Sequence, residues 1–122
     1  MNTERTRRAT GELGEELGGA YLKERGYKVL ARNVRSPFGE IDLVARDGET
    51  LVFVEIKTRA GHAFGFPEEA VTQQKKERLI RLASWYLARH LEPKRAVRFD
   101  VLAIELSSGA PDIRLIQNAF EL

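Results

Sequence analysis

Residues Gly39–Lys57, GEIDLVARDGETLVFVEIK, read as two strands joined by a tight turn, with carboxylates where a buried strand normally carries valine. In the first strand Ile41, Leu43 and Ala45 alternate with Glu40, Asp42 and Val44. In the second, Val52, Val54 and Ile56 form one apolar face, and Leu51, Phe53, Glu55 and Lys57 form the other. This is the period of two expected of strands. Asp47-Gly48 lies between the runs and signals a hairpin, because both central positions of such a turn favour positive φ. With those two as loop residues, Arg46 faces Glu49, Asp42 faces Phe53 and Glu40 faces Glu55. Asp42 and Glu55 are then diagonal neighbours on one face, about 7–8 Å apart at the backbone. Lys57 projects from the same face as Glu55.

Acids gathered on one sheet face are costly unless something neutralises them. Mg²⁺ suits the task, since it takes oxygen ligands in an octahedron, often one or two carboxylates with phosphate and water. A lysine beside such an ion orients or deprotonates an attacking water, or stabilises negative charge on a phosphate in transfer. Asp42, Glu55 and Lys57, spaced D-x₁₂-E-x-K on adjacent strands, therefore fit metal-assisted phosphodiester hydrolysis. A solvated Glu–Lys pair is the plainer account of any E-x-K. Here FVEIK follows a strand too apolar to be a free edge, which favours a site.

The rest of the chain sets bounds. With 122 residues, it is long enough for one domain with a hydrophobic core. Cysteine is absent and the histidines are His62 and His90 alone, so a disulfide framework, a thiolate metal site and a histidine-rich zinc centre are all excluded as expectations. A net charge of +2 is modest, and the sequence pI of 9.1 leans toward a nucleic-acid partner. No apolar run approaches the ~18 residues a membrane helix requires, and the polar start MNTERTRRAT lacks the apolar core of a signal peptide. The expectation is a cytoplasmic protein with no membrane partner.

Along the chain, residues 1–9 are expected to be a flexible tail preceding a single domain over 10–122. A helix is expected from Gly11 to Arg25, capped by Thr10 and stopped by Gly26. Its apolar stripe is Leu13, Leu17, Ala20 and Tyr21, and a second series, Gly11, Glu15, Gly18 and Leu22, lines up on the other side. Glycine costs about 1 kcal/mol per position in a helix, and close approach of another backbone would account for it. Periodicity leaves open which of Glu12, Glu15 and Glu16 joins a metal site.

Tyr27–Asn33 reads as the first strand, and Ser36-Pro37-Phe38-Gly39 as the turn into the hairpin. A loop, TRAGHAFGFP, follows Lys57, with Phe64 and Phe66 at the expected mouth of the site. Pro67–Val71 is an entry turn. Thr72 then caps a helix reaching about His90, with Leu79, Leu82, Ala83 and Tyr86 inward and Lys75 one turn earlier on that stripe. Lys76, Arg78 and Arg81 give its outer surface a positive cast. Glu92-Pro93 breaks the helix. Ala96–Leu106 is a strand in which Asp100 is expected to pair structurally with Arg98 or Arg59. Ser107–Pro111 is a turn and Ile113–Ile116 a last, edge strand.

This order, α-β-β-β-α-β-β, together with D-x₁₂-E-x-K in the hairpin, resembles the restriction-endonuclease-like α/β fold of the PD-(D/E)-x-K nucleases, a mixed central sheet flanked by helices. Ile41 stands where the motif has proline. GELGEELGGAYLKERG resembles the first helix of the archaeal Holliday-junction resolvases, where the matching position is Glu15. More closely, TGELGEELGGAYLKERGYKVLARN, GEIDLVARDG, FVEIKTR, FGFPEEAVTQQKKERL and VRFDVL resemble the small, uncharacterised bacterial family typified by YraN. The resemblance implies an endonuclease acting on DNA, with branched or structured DNA as the leading substrate and a homodimer as the working form. It implies Mg²⁺ or Mn²⁺ held by Asp42, Glu55, the carbonyl of Ile56 and Glu15, with Lys57 activating water. Glu40 would support the ligands, and Arg59, Lys75 and Lys76 would hold the nucleic-acid backbone. The competing expectation is a nucleic-acid-binding or accessory protein that keeps the fold without catalysis.

Overall fold

The computed structural model describes residues 3–59, 72–90, 96–106 and 109–120, with side chains from Gly11 onward and not at Phe120. Its elements are α1 (Thr3–Glu24), β1 (Lys28–Ser36), β2 (Gly39–Asp47), β3 (Thr50–Arg59), α2 (Gln73–Arg89), β4 (Val97–Glu105) and β5 (Asp112–Phe120). That is the α-β-β-β-α-β-β order expected of the sequence. The strands form one five-stranded sheet in sequence order, β1 to β5. Every neighbouring pair is antiparallel except β3 and β4, which run parallel because α2 carries the chain back across the sheet between them.

β3 is central, and its alternation sorts side chains into two cores. Leu51 and Phe53 join Val44, Ile41 and Phe99 beneath Leu79, Leu82, Ala83 and Tyr86 of α2. Phe53 meets Tyr86 edge-on and Phe99 stacked, both at 5.6 Å. Val52 and Val54 join Leu43, Ala45, Leu102 and Ile104 beneath Leu22 of α1, with Tyr27 beside them. Full burial of each large apolar side chain contributes about 1.5–3 kcal/mol.

Several expectations are corrected. α1 begins at Thr3, so Thr10 lies inside the helix and residues 3–9 are helical in place of the expected tail. The face of α1 against the sheet is the glycine side: Gly14, Gly18 and Leu22 are buried, whereas Leu13 and Ala20 are exposed. A methyl on Gly14 would collide with the Thr58 side chain, and one on Gly18 would lie 2.7 Å from Leu102 Cδ2 and 3.1 Å from Ile56 Cδ1. The helix approaches side chains of the sheet, not another backbone. β1 and β5 each run beyond the expected Asn33 and Ile116 ends.

The hairpin turn also moves by one residue, which shifts the strand pairing by two. Asp47 pairs with Thr50, Arg46 with Leu51 and Val44 with Phe53, so the loop is Gly48-Glu49. Gly48 has φ +61 at the first loop position, where a two-residue hairpin loop takes glycine. Gly26, with φ +90, ends α1 as expected, and Thr72 caps α2, its hydroxyl accepting from the Lys75 N–H at 3.2 Å. The expected loop with Phe64 and Phe66, the entry turn over Pro67–Val71, the Glu92-Pro93 break and the first residues of the Ser107–Pro111 turn lie outside the described residues.

Candidate active site

The site forms where β2 and β3 part. Their ladder ends at Leu43 opposite Val54. Carried one step further, the register sets Asp42 level with Glu55, not diagonal to it. There the Ile56 N–H donates to Asp42 Oδ2 at 2.7 Å, so a side chain takes over from the strand's backbone acceptors. Ile41 then packs in the α2 core while Leu43 packs in the α1 core. Strict alternation would have put both on one side, so β2 rotates across Asp42. That rotation carries the carboxylate toward the end of β3.

Burial is the main influence on Asp42 and pushes its pKa up to about 6. The Ile56 hydrogen bond opposes the rise, the Glu55 and Glu15 charges add to it, and Lys57 offsets part of it. Glu55, on the α2 side of β3, is held through one oxygen: Lys75 Nζ lies 2.5 Å and Lys57 Nζ 3.5 Å from Oε1. Glu55 Oε2 is buried without a hydrogen-bond partner; among the described residues only Arg46 Nε shares that condition. Lys75 is pushed toward lower pKa first by burial and also by Lys57, with the Glu55 carboxylate acting in the opposite direction.

Asp42, Glu55 and Lys57 thus meet as the motif spacing leads one to expect, and Lys75 joins them from α2. Lys75 was expected to point inward, and it does, with its side chain 14% exposed. Glu15 is half-buried, while Glu12 and Glu16 are exposed. Glu15 Oε2 accepts from Asn33 Nδ2 of β1 at 2.8 Å, close enough to Asp42 for its charge to be felt. Asn33 was not singled out from the sequence, although its φ of +51 is a conformation asparagine tolerates better than most residues. Glu40 stands apart: it pairs with Arg35 at 3.2 Å on the surface, with more than half of its side chain exposed. Arg59 and Lys76 are half-buried, and neither is a free cation. Among the described residues no three acidic or histidine side chains close on a single point, so any ion here would rest on the Asp42–Glu55 pair.

Beside Lys75 opens a cleft of about 480 Å³, lined among the described residues by Thr72, Gln74, Lys75 and Arg78. Arg78 also lies over the start of β2, its Cδ 3.2 Å from where a Gly39 Cβ would stand.

Asp100 has the structural role expected of it. It is 1% exposed, bound by Arg98 Nε at 2.9 Å and the Asn118 N–H at 2.9 Å through Oδ1, and by Tyr27 Oη at 3.1 Å through Oδ2. Arg98 also reaches Asp47 at 3.0 Å, and Gln117 donates to Tyr27 Oη at 2.7 Å. The Asp100 carboxylate, before its other partners, holds Arg98 firmly protonated.

Fold and site together define a class: small α/β proteins with a mixed five-stranded sheet between two helices and an acidic pair backed by lysines where two central strands separate. The chain belongs to the uncharacterised protein family UPF0102, whose model matches residues 14–104. That range contains the hairpin, the site and α2, and the membership is consistent with the likeness to the YraN type. A UPF0102 protein of Symbiobacterium thermophilum is 53% identical, covering 93% of this chain and 97% of the relative. One from Syntrophus aciditrophicus is 45% identical over 93% and 89% of the two chains, and one from Beutenbergia cavernae 55% identical over 82% and 85%. No helix among the described residues is long and apolar enough to cross a membrane.

Proposed function

We propose that this chain is a cytoplasmic endonuclease that hydrolyses phosphodiester bonds in DNA with the help of Mg²⁺ or Mn²⁺, structured or branched DNA being its first candidate substrate. The observation that carries the reading is Glu55. One of its oxygens is shared by two lysines, and the other is buried without a partner beside a second carboxylate of raised pKa. A buried carboxylate oxygen left unsatisfied costs about 1–3 kcal/mol or more, and an oxygen-seeking cation relieves that cost. The donor chemistry suits a hard divalent ion: Asp42 and Glu55 would hold it, with the Ile56 carbonyl as a further oxygen, and Glu15, now bound to Asn33, would join only by turning its side chain toward them. When bound, such an ion polarises the phosphate and favours deprotonated water.

The chain's own groups would do the rest. Asp42 is fixed by the Ile56 N–H, so its free oxygen has one orientation. Lys57, two residues past Glu55, would hold the attacking water by hydrogen bond and steady the negative charge gathering on the phosphate. Lys76 and Arg59, with Arg78 at the cleft, would grip the flanking backbone. A homodimer would present two such sites to a two-armed substrate.

A second reading, a nucleic-acid-binding protein without catalysis, draws on the same lysines, since Lys57 and Lys75 already neutralise Glu55 without an ion. The separating experiment is cleavage of labelled duplex, single-stranded, flap and four-way-junction DNA, and RNA, in Mn²⁺, Mg²⁺ or chelator. Metal-dependent cutting lost in Lys57→Ala is the expected result. Binding without cutting on every substrate favours the second reading.

A further inference from the structure

We propose that Lys75 is a place-holder for the divalent ion: its ammonium occupies Glu55 until the ion arrives, then turns into the adjacent cleft to take a phosphate oxygen of the substrate. The inference rests on the metal-site reading above and adds a role that the D-x₁₂-E-x-K motif does not contain, since Lys75 lies on α2.

Three observations carry it. Lys75 Nζ is the nearest cation to Glu55, 2.5 Å from Oε1. Its side chain is 14% exposed, yet the residue lines the cleft with Thr72, Gln74 and Arg78, so Glu55 and the cleft both adjoin the same lysine. Lys57 stands on the same Glu55 oxygen and bears on Lys75 as a like charge, which leaves the pair of lysines crowded around one acceptor. Asp42 and Glu55 balance Lys57 and Lys75 in charge. A divalent ion would therefore leave the group with two positive charges in excess, and Lys75, whose ammonium stands nearest the Glu55 carboxylate, would be the one it displaces most directly. The first turn of α2 adds the positive end of a helix dipole to the cleft. Each binding event thus favours the other: the ion releases Lys75, and a phosphate in the cleft keeps it away from Glu55.

The test uses the full chain, stripped of metal, with Mn²⁺ binding followed by electron paramagnetic resonance and DNA binding by anisotropy of a labelled four-way junction. Lys75→Met is compared with Arg81→Met, which removes the same charge from the exposed outer face of α2, and with Glu55→Gln. Lys75→Gln is the reserve if Lys75→Met fails to fold by circular dichroism. The expected result is Mn²⁺ binding roughly tenfold tighter in Lys75→Met, equivalent to about 1.4 kcal/mol, unchanged in Arg81→Met and lost in Glu55→Gln. Mn²⁺ should tighten junction binding in the wild type and no longer do so in Lys75→Met. If Glu55→Gln abolishes Mn²⁺ binding but Lys75→Met does not strengthen it, or if Mn²⁺ still tightens junction binding there, the place-holder is overturned and the metal site stands. If the wild type itself binds no Mn²⁺, both fall together.

Discussion

At Asp42 a single side chain carries opposing demands. Its carboxyl is buried deeply enough to hold a pKa of about 6, well above the ordinary carboxylate value, so the folded state binds this proton more tightly than the unfolded chain does. Below about pH 4 the group is protonated in both states and imposes no penalty. Between about pH 4 and 6 the unfolded chain gives up the proton while the folded protein keeps it, so stability falls, and above 6 the folded protein carries the buried charge at a full cost of up to about 3 kcal/mol. Asp42→Asn keeps the acceptor for the Ile56 N–H and removes that charge. We expect metal-free Asp42→Asn to melt several degrees above the wild type at pH 7.5, with the gap closing near pH 4, while all cleavage is lost. An equal gap at both pH values would place the strain elsewhere. In the wild type, Mn²⁺ should restore much of the same stability above pH 6, and Glu55→Gln should abolish that gain in thermal melts. Asp42, Glu55 and Lys57 were legible in the sequence as a cluster on two adjoining strands, from the hairpin signal and the 12-residue spacing, whereas the rotation of β2 that turns Asp42 toward the end of β3 breaks the alternation and was not. Lys75 was read as an inward residue and as a holder of the nucleic-acid backbone, but its contact with Glu55 was not foreseen, because the angle at which α2 crosses the sheet is not written in its periodicity.

The elements show where local patterns were overruled by neighbours. The two series on α1 are equally regular, and hydrophobicity favours Leu13, Leu17, Ala20 and Tyr21. The sheet nonetheless takes the glycine side, since Thr58, Ile56 and Leu102 leave no room for larger residues. Gly14→Ala should therefore cost about 1–3 kcal/mol through overpacking against the stiff Thr58 side chain. Gly11→Ala, with nothing within 4 Å of the added methyl, should stabilise by up to about 1 kcal/mol, now that Gly11 is known to lie inside the helix. Urea midpoints of the two variants decide the point, and equal shifts would contradict the close approach. The hairpin turn was misplaced by one residue, and the pairing therefore by two, because Asp-Gly permits two placements of the turn, and only the pairing of Asp47 with Thr50 chooses between them. Arg98, Asp100, Asp47, Tyr27 and Gln117 tie β2, β4 and β5 to the start of β1. Of this network only the Arg98–Asp100 pair was foreseeable, from two residues spaced along one strand. Arg98→Met strands a buried carboxylate and should cost about 3–5 kcal/mol in chemical denaturation, much of it recovered in Arg98→Met with Asp100→Leu.

For the whole molecule, a net charge of +2 says little, because the cations that matter are local. Lys57, Lys75 and Arg78 gather at the site and its cleft, and Lys76 follows Lys75 on α2. If these four meet phosphates, junction affinity should fall with salt at a slope of about −3.6 in log–log form, from about −0.9 per neutralised phosphate. A slope near double that value would be the mark of two copies on one substrate. A slope near zero would remove DNA as the ligand.

The parallel pairing of β3 with β4 has a kinetic consequence. β1, β2 and β3 are joined by short turns, so Asp42, Glu55 and Lys57 can be brought together by local contacts alone. Lys75 arrives only after α2 has closed the long crossover between β3 and β4, the step with the greatest loop entropy to overcome. During refolding, the acidic pair should therefore become competent to bind Mn²⁺ before Lys75 reaches it. A stopped-flow trace in which metal capture precedes burial of Trp85 on α2 would reveal that interval.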